Sequence, residues 1–595
     1  MAPGLQRSCT RPPGGVPLSS TRLRLARRLT GSLLLGLVLS VPVHAAQEPA
    51  AAQTFADTVS VTEVLVHVVV TGRRGDPVTD LEQEDFVVHV DGERVEITGF
   101  RRTLLREHAP DGAAGAVVAE EPQGPPVSVV VYFDEAGTRF FDRRRFLHRV
   151  QREAEALRAW NARFALVTSG DQVQIRVPPT EDLDAVLAAA AALPLPKWRS
   201  RQTGRHFQRA REQVGEVLFA PYGDGCGEGF PQVTALVKGY EVREKRRTAE
   251  RLDALWDVVT AFSGVPGRKI VLYVGNGFAQ VPGEELHDYV VQFCLGVGSG
   301  GGAALLGPGG ESSRLFDQVA AHANANNTTL YMLDAGGVPS ISSSGRSWRL
   351  NRQGGMAYLS RKTGGRTLFN SNALGPLLDD AEEHLDASYE LAVTVADHKP
   401  GELRQIDVEL ARSLRNQGYR LAYRRSWQDK SRDQMIADRL VSTAWLDGDW
   451  LAEAANPLSV AMRFAPTTPV EADDDRRRRR RNREDVHELV VRVAIPELAA
   501  TLLPGPDGDR GALGLWLMAV ERNKGYRTPV RRMLLELGGP EGLQSHAGFH
   551  FVDLGVKLWE GEYTVVLGVV DEPTGTMSVL REATSVPSTS VPSTG

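Results

Sequence analysis

The sequence predicts a multidomain α/β protein: a doubly wound α/β domain flanked by a small discontinuous β domain, plus a C-terminal β-sandwich. Within residues 127–386, strands that are apolar on both faces alternate with helical periods, which is typical of a parallel sheet covered by helices. On either side, at 59–102 and 387–427, apolar residues recur at every second position, as in antiparallel strands. Residues 432–582 contain a series of short strand-like segments separated by turn signals, which favours a sandwich.

The first 45 residues have the pattern of a secretory signal peptide. Arginines without any acidic residue precede an apolar run from Leu33 to Val43, and small residues surround the expected cleavage position after Ala45. The run is too short to span a bilayer comfortably, so we expect no transmembrane segment after signal cleavage. The pair Arg27-Arg28 fits an ordinary basic segment and also a twin-arginine signal, so the export route stays open. We expect an extracytoplasmic protein, periplasmic or secreted.

Net charge narrows the class of partner. The chain has a formal charge of -5, and loss of the six signal-segment arginines moves it to about -11. A net negative protein repels a phosphate backbone, which argues against nucleic acid. We therefore expect a protein or a cell-envelope component as the partner, and the oligomeric state is not legible in the sequence.

Residues 59–102 form an N-terminal β hairpin unit. The segment Phe86–Val90 is followed by Asp91-Gly92, which is the strongest hairpin signal in the chain. Low-complexity linkers at 46–58 and 103–126 bound this unit. The strands at 387–427 directly follow the α/β domain, so we expect them to complete the N-terminal unit, with the α/β domain inserted between the two pieces.

The α/β domain at 127–386 carries its strands and helices in alternation. The expected strands are Val127–Phe133, Phe164–Thr168, Val173–Val177, Lys269–Val274 and Thr329–Leu333. The expected helices are Arg143–Ala159, Asp182–Ala191, Thr248–Phe262 and Leu315–Asn324. The stretches 194–245 and 296–310 interrupt the pattern and are expected to be irregular surface insertions. The tail at 583–595 is rich in Ser, Pro and Thr and is expected to be disordered.

A set of short motifs follows one fixed order along residues 59–427. They are Gly75–Val78, Glu84-Asp85-Phe86 and Asp91-Gly92; Asp134 at a strand end; Pro266–Lys269 and Gly275–Phe278 around one strand; Ala323-Asn324 before Asp334; Thr363-Gly364-Gly365 with Phe369-Asn370; and Tyr389-Glu390-Leu391. These motifs resemble the bacterial VWFA-related domain proteins of the acidobacterial type. The resemblance implies a von Willebrand factor A-like fold for the α/β domain and does not extend to the C-terminal β domain.

The resemblance also implies a metal-ion-dependent adhesion site, in which Asp-x-Ser-x-Ser and a later Ser-Asp-Gly loop hold Mg²⁺. In this chain the implied ligands are Asp134, Thr138 and Asn276, because Ala136 has no side-chain oxygen and an amide replaces the second carboxylate. Ligand charge is a main determinant of divalent-ion affinity. We therefore expect a degenerate site with at most weak Mg²⁺ binding and no other cofactor. Under the interpretation that we prefer, Asp134 does not hold a metal ion and caps the following turn by local hydrogen bonds.

No catalytic constellation stands out in the sequence. The chain has no Gly-x-Ser-x-Gly elbow and no His-Glu-x-x-His helix, and its histidines are scattered. The main hypothesis is an exported, non-enzymatic protein-protein interaction or adhesion-type module. The alternatives are a metal-dependent (Mg²⁺) adhesion or ligand-binding A domain and, less favoured, an extracytoplasmic hydrolase.

Two further features leave alternatives open. Cys9 leaves with the signal segment, and Cys226 and Cys294 then either form a disulfide or remain free thiols, because sequence spacing does not report their distance. The run Arg476–Arg481 either binds a polyanion or a lipid headgroup, or is a solvated loop compensated by the acidic residues on both sides.

Overall fold

A computed structural model describes most of the chain between residues 61 and 587. Within these limits it leaves out 105–126, 136–137, 139, 153, 159, 161, 171, 194–204, 221–225, 228, 297–312, 337–345, 372–374, 377, 379–380, 382–386, 397–398, 400, 447–455, 470–485, 505–508, 524, 539–542 and 544. The predicted signal peptide at 1–45, the predicted linker at 46–58 and the run Arg476–Arg481 therefore lie outside the described residues. The predicted linker at 103–126 lies outside them from residue 105, and its first two residues are strand. The predicted insertion at 296–310 lies outside them from residue 297, and Gly296 ends a helix.

The secondary structure alternates between strand-rich and helix-rich stretches. The strands are β1 Val61–Thr71, β2 Phe86–Val90, β3 Glu93–Val95, β4 Ile97–Leu104, β5 Ser128–Asp134, β6 Arg163–Ser169, β7 Val173–Thr180, β8 Lys269–Gly275, β9 Thr328–Asp334, β10 Thr367–Leu368, β11 Ala387–Ala396, β12 Leu403–Leu410, β13 Arg420–Tyr423, β14 Ser426–Gln428, β15 Ala461–Phe464, β16 Thr468–Pro469, β17 Val486–Pro496, β18 Arg510–Glu521, β19 Arg531–Gly538, β20 Phe549–Trp559, β21 Gly561–Asp571 and β22 Met577–Val586. The helices are α1 Phe140–Arg152, α2 Ala154–Arg158, α3 Leu183–Ala191, α4 Arg205–Leu218, α5 Phe230–Ala261, α6 Glu284–Gly296, α7 Ser313–Ala325, α8 Arg346–Lys362 and α9 Arg432–Trp445.

The central α/β domain is built on a six-stranded sheet with the order β10-β9-β8-β5-β6-β7. Its strands are parallel except β7, which pairs antiparallel to β6 at one edge. The central strands are buried on both sides, because helices cover both faces of the sheet. Side chains of β5 and β8 pack against α5, α7 and α8 on one face and against α1 and α3 on the other.

Part of the stretch predicted to be an irregular insertion is helical. α4 and the first half of α5 occupy positions within 194–245, so that prediction was wrong there. On α4, Phe207, Ala210, Val214 and Leu218 recur at spacings of three and four and are buried against the start of α5. In the sequence, the charged residues between these positions obscure the apolar stripe. α6 and α8 were also not predicted from the sequence.

The strands before and after the α/β domain pair with each other. β1 lies between β11 and β13 in a sheet with the order β13-β1-β11-β4, and a second sheet has the order β14-β12-β2-β3. The two sheets share an apolar core that contains Val66, Val88 and Leu391. The Tyr389 hydroxyl in β11 donates to the Val78 carbonyl at 2.7 Å and so fixes the turn after β1.

The C-terminal part is a sandwich of two antiparallel sheets with a helix on its outer face. One sheet has the order β19-β18-β21-β22, and in the other β17 pairs with β15 and β16 on one side and β20 on the other. α9 packs against β18 and β21 and also contacts the α/β domain, where the Gly264 amide donates to Ser442 Oγ at 2.7 Å. β22 extends to Val586, so positions 583–586 of the predicted disordered tail are strand.

Candidate functional site

The carboxyl edge of the parallel strands is the place where open α/β sheets bind ligands. Neighbouring strands end there at Asp134 in β5, Ser169 in β6, Gly275 in β8 and Asp334 in β9. Both aspartates are buried, with 1% and 4% of their surface exposed. A buried carboxylate needs a compensating charge or hydrogen bonds, so the partners of these two groups determine what the edge can do.

Asp134 is paired with a buried arginine. Arg251 of α5 donates from Nε to Asp134 Oδ2 at 2.7 Å, and its Nη2 bonds the same oxygen. The Tyr273 hydroxyl of β8 donates to Oδ2 at 2.8 Å, and Arg251 Nη2 lies 2.8 Å from that hydroxyl. The guanidinium also lies over the Phe278 ring, with 5.0 Å to its centroid. Asp134 therefore has a fixed positive charge beside it, held by hydrogen bonds and an aromatic face.

The electrostatics of this pair favour its charged form. Burial alone lowers the pKa of Arg251, but the Asp134 carboxylate and the Tyr273 oxygen outweigh burial and raise that pKa above its ordinary value. Burial also raises the pKa of Tyr273 well above its ordinary value, so the phenol remains a neutral donor. Arg251 therefore stays positively charged over the whole physiological range, and Tyr273 stays neutral.

The sequence carried a signal for Arg251 that the helical pattern alone did not reveal. On α5 the buried positions Glu244, Thr248, Arg251, Leu255 and Val259 follow each other at spacings of three and four. Two charged residues thus lie on the stripe that faces the protein interior. A charge on a buried stripe requires a buried partner, which predicts an ion pair but does not identify the partner.

The other two implied metal ligands contribute neutral oxygens. Thr138 is buried, and its hydroxyl donates to the Val274 carbonyl of β8 at 3.2 Å. Asn276 Oδ1 is buried and has no hydrogen-bond partner among the described residues. The arrangement does not fit a divalent cation, because the one carboxylate of the set is already neutralised by a guanidinium that would repel the ion.

Asp334, at the end of β9, has its own arginine. Arg349 of α8 donates to Asp334 Oδ2 from Nε at 2.9 Å and from Nη2 at 2.7 Å. Gln353 Nε2 adds a hydrogen bond to the same oxygen at 2.7 Å, and the Gly336 amide donates to Oδ1 at 2.9 Å. Both strand-end aspartates are therefore bonded to arginines from helices that lie against the sheet edge.

A further layer of buried charge lies on the helices above this edge. Glu244 of α5 accepts hydrogen bonds from Arg247 and from Arg352, and Arg352 lies over the Trp348 ring at 4.5 Å. Burial opposes ionisation of Glu244, but the two arginines outweigh it and hold its pKa below the ordinary value. The carboxylate is therefore ionised and acts as a fixed anion for both guanidinium groups.

Glu285 of α6 is the carboxyl group in this layer whose properties come nearest to those of a general acid. Burial raises its pKa, and the hydrogen bond from Tyr240, at 2.5 Å, opposes that rise. Asn351 donates to its other oxygen at 3.0 Å, and only 2% of the residue is exposed. Both carboxyl oxygens of Glu285 therefore accept hydrogen bonds from within the helical layer. A substrate would reach this carboxyl group only by displacing Tyr240 or Asn351.

The polar residues at the ends of β5 and β6 bond to neighbouring side chains. Glu135, which follows β5, pairs with Arg143 of α1 at 3.3 Å. Thr168 accepts a hydrogen bond from Arg176 at 3.0 Å, and Ser169 Oγ lies 2.7 Å from the Tyr132 hydroxyl. These contacts hold the ends of both strands in place.

A disulfide joins Cys226 to Cys294, with a Cα–Cα distance of 5.6 Å. It links the segment before α5 to the end of α6. Both cysteines lie in an apolar cluster formed by α4, α5 and α6. Of the two alternatives left open by the sequence, the structure contains the disulfide.

Within the part of the chain that the structure describes, no group of three or more His, Cys, Asp or Glu side chains is arranged to hold a metal ion. None of the described helices is both long and apolar enough to cross a bilayer. The chain matches no family model and no curated protein sequence.

Proposed function

We propose that this chain is an extracytoplasmic, non-enzymatic recognition protein whose von Willebrand A-like domain binds a protein or a cell-envelope component without a divalent metal. The buried pair of Asp134 with Arg251 carries this proposal. The carboxylate that would meet a cation in a metal-dependent A domain meets a guanidinium here. The charge at the strand edge is therefore satisfied within the chain.

Electrostatics make replacement of this arginine by a metal ion unfavourable. A divalent cation beside Asp134 would lie within a few ångströms of the Arg251 charge, and like charges at such distances repel strongly in a buried site. Displacing Arg251 instead would leave a buried charge without a partner, which typically costs about 3–5 kcal/mol. Both routes weaken metal binding relative to a site with free carboxylates.

The second candidate is a metal-dependent adhesion domain, and one observation favours it. Asn276 Oδ1 is buried near the strand edge without a hydrogen-bond partner among the described residues, as an oxygen reserved for a ligand would be. The oxygen is neutral and its carboxylate companion is paired, so we rank this candidate second.

Calorimetric titration with Mg²⁺ and Mn²⁺ separates the two candidates. We expect no micromolar binding to the wild-type chain, because Arg251 already balances Asp134. In Arg251→Gln the carboxylate loses its positive partner, and we expect Mn²⁺ binding to appear there and to be absent in Arg251→Gln with Asp134→Asn. Micromolar binding to the wild type that Asp134→Ala abolishes would overturn the proposal.

Partner binding is tested with the immobilised full chain, without its predicted signal peptide, and a cell-envelope extract. Retention of the same partner in Mg²⁺ and in EDTA is the expected result. Retention that requires Mg²⁺ would favour the second candidate, and turnover of an envelope substrate by the purified chain would favour the hydrolase.

A further inference from the structure

The outer edge of β20 in the C-terminal sandwich is long and unpaired among the described residues. β20 forms eleven register pairs with β17 on one side, and on the other the described chain makes one bridge, between Phe549 and His546. The Phe549 amide and carbonyl both bond His546, so they point to the outer edge. Because backbone groups alternate along a strand, those of every second residue from Phe551 to Trp559 point to the same edge.

The solvent face of β20 carries large apolar side chains beside the two charged residues Asp553 and Lys557. The solvent face of β20 exposes 56% of Phe551 and 46% of Trp559. An exposed, long edge strand with apolar side chains is a template for pairing with another strand. The described part of the strand contains no proline and no bulge in its pairing with β17.

The sequence of β20 is self-complementary about Gly555. If a second copy of the strand runs antiparallel with Gly555 opposite Gly555, Asp553 lies opposite Lys557 of that copy, and Phe551 lies opposite Trp559. On the inner face, Leu554 lies opposite Val556, and Val552 lies opposite Leu558. Each of these four pairs therefore joins opposite charges, two aromatic side chains or two aliphatic ones, which are the cross-strand pairs that stabilise sheets.

The neighbouring strand extends the charge complementarity. In the register of β17 with β20, Arg492 is opposite Asp553 and Glu488 is opposite Lys557. Arg492 Nε lies 3.4 Å from an Asp553 oxygen. Across the joined edge, the row would read Arg492, Asp553, Lys557 and Glu488, with the last two from the second copy. Charges alternate in sign along this row, and the twofold axis generates the same row in the opposite direction.

We propose that the chain forms a twofold homodimer in which β20 pairs antiparallel with β20 of a second copy, centred on Gly555. Gly555 lies at the axis, and the Glu488 side chain of β17 lies over it, with Oε1 2.6 Å from the place where a Cβ would stand. The interface is isologous, so it uses the β20 edge of both copies and closes at two copies.

The test uses the full chain, without its predicted signal peptide, in sedimentation equilibrium over a range of concentrations. The wild type is expected to sediment as a dimer. Asp553→Lys places lysine opposite Lys557, and Lys557→Asp places aspartate opposite Asp553, so each variant alone should dissociate at concentrations at least about tenfold higher. A matched control, Glu582→Lys on the exposed edge strand β22, should leave the dimer unchanged.

Mixing the two variants provides the decisive measurement. In a mixed pair, the lysine introduced at position 553 of one chain faces the aspartate introduced at position 557 of the other. The unchanged Lys557 of the first chain faces the unchanged Asp553 of the second, so both opposed pairs have opposite charge while each chain keeps its internal changes. Equimolar Asp553→Lys and Lys557→Asp chains should therefore form a heterodimer, which also shows that both variants are folded. A monomeric wild type, a dimer that both charge reversals leave intact, or a mixture that stays monomeric would each overturn the proposal.

Discussion

At the scale of single residues, the main finding is that a charge at the sheet edge is balanced by a side chain 117 positions further along the chain. Asp134 and Arg251 expose 1% and 8% of their side chains, so neither is compensated by water. A buried pair of this kind often adds little net stability, because desolvation offsets the attraction. Breaking it on one side is a different matter, since the remaining charge is then buried alone.

We therefore predict a non-additive result for this pair. Asp134→Leu or Arg251→Met alone should lower the stability of the transition that contains the α/β domain by about 3–5 kcal/mol. The double variant should recover most of that loss, because two apolar side chains replace two buried charges. Urea denaturation of the four chains measures the cycle.

The exposed pair Arg246 and Glu250 on the same helix is the matched control. Its side chains are 81% and 58% exposed, so removing either should change stability by less than about 1 kcal/mol. Equal losses for Asp134→Leu, for Arg251→Met and for their combination, with no recovery, would agree with a cooperative collapse but not with pairwise compensation.

Lys269, at the start of β8, gives a pH prediction. Burial and, to a smaller extent, the charge of Lys430 lower its pKa to about 7, and Asp438 opposes the change. Between pH 7 and the ordinary lysine pKa near 10.5, the unfolded chain binds a proton that the folded chain does not, so stability rises with pH across that window. Lys269→Met should remove this rise. Thermal denaturation from pH 6.5 to 10 measures it, and an unchanged slope in Lys269→Met would contradict it.

The sequence predicts the position of Asp134 but not the identity of its partner. Asp134 could be placed at the sheet edge because it ends an apolar strand, and edges of parallel strands are set by strand order. Arg251 could not be assigned to it, since the pairing depends on how α5 crosses the sheet. Nothing in local spacing specifies that crossing.

At the scale of elements, α5 shows the limits of periodicity. The sequence predicted a helix over 248–262, whereas α5 begins at Phe230 and has 32 residues. Its second half packs on the sheet and has a clear apolar stripe. Its first half packs on α4 and α6 through Val233, Val237 and Tyr240, and the next turns, Glu241–Arg247, are rich in charged residues. Because the two halves of α5 pack against different elements, the spacing of its buried residues changes along the helix. The sequence pattern therefore does not show where the helix begins.

The disulfide should stabilise this helical layer. The cysteines are 68 residues apart, and closing a loop of that length stabilises a fold by about 4 kcal/mol in the chain-entropy model. We expect a reductant to lower the melting temperature of the wild type. Cys226→Ser with Cys294→Ser should melt at the lower temperature with or without reductant. A melting temperature of the wild type that reductant does not change would show that the link does not stabilise the fold.

At the scale of the whole molecule, the two pieces of the small β domain precede and follow the α/β domain in the chain and pair with each other. The sequence predicted this connection from the return of period two on both sides of the α/β domain. It could not give the strand order, because register depends on contacts between segments about 330 residues apart, such as Val66 with Leu391. The joint through α9 was also not predicted, since a surface helix and an interdomain helix have the same amphipathic pattern.

The strands at 387–427 depend on their pairing with the N-terminal strands. Deleting residues 59–102 removes β1 and most of β4, the two partners of β11, and β2, a partner of β12. The strands at 389–423 then lose their hydrogen bonds to these partners and half of their apolar core, so trypsin should cut there while the disulfide-linked helices stay resistant. Val66→Asp, at a fully buried position of β1, should have the same effect at single-residue scale. Leu65→Asp on the same strand is the control, because Leu65 is 48% exposed on the opposite face. Limited proteolysis with mass spectrometry reads out all three chains, and unchanged resistance at 389–423 after the deletion would mean that these strands fold without their N-terminal partners.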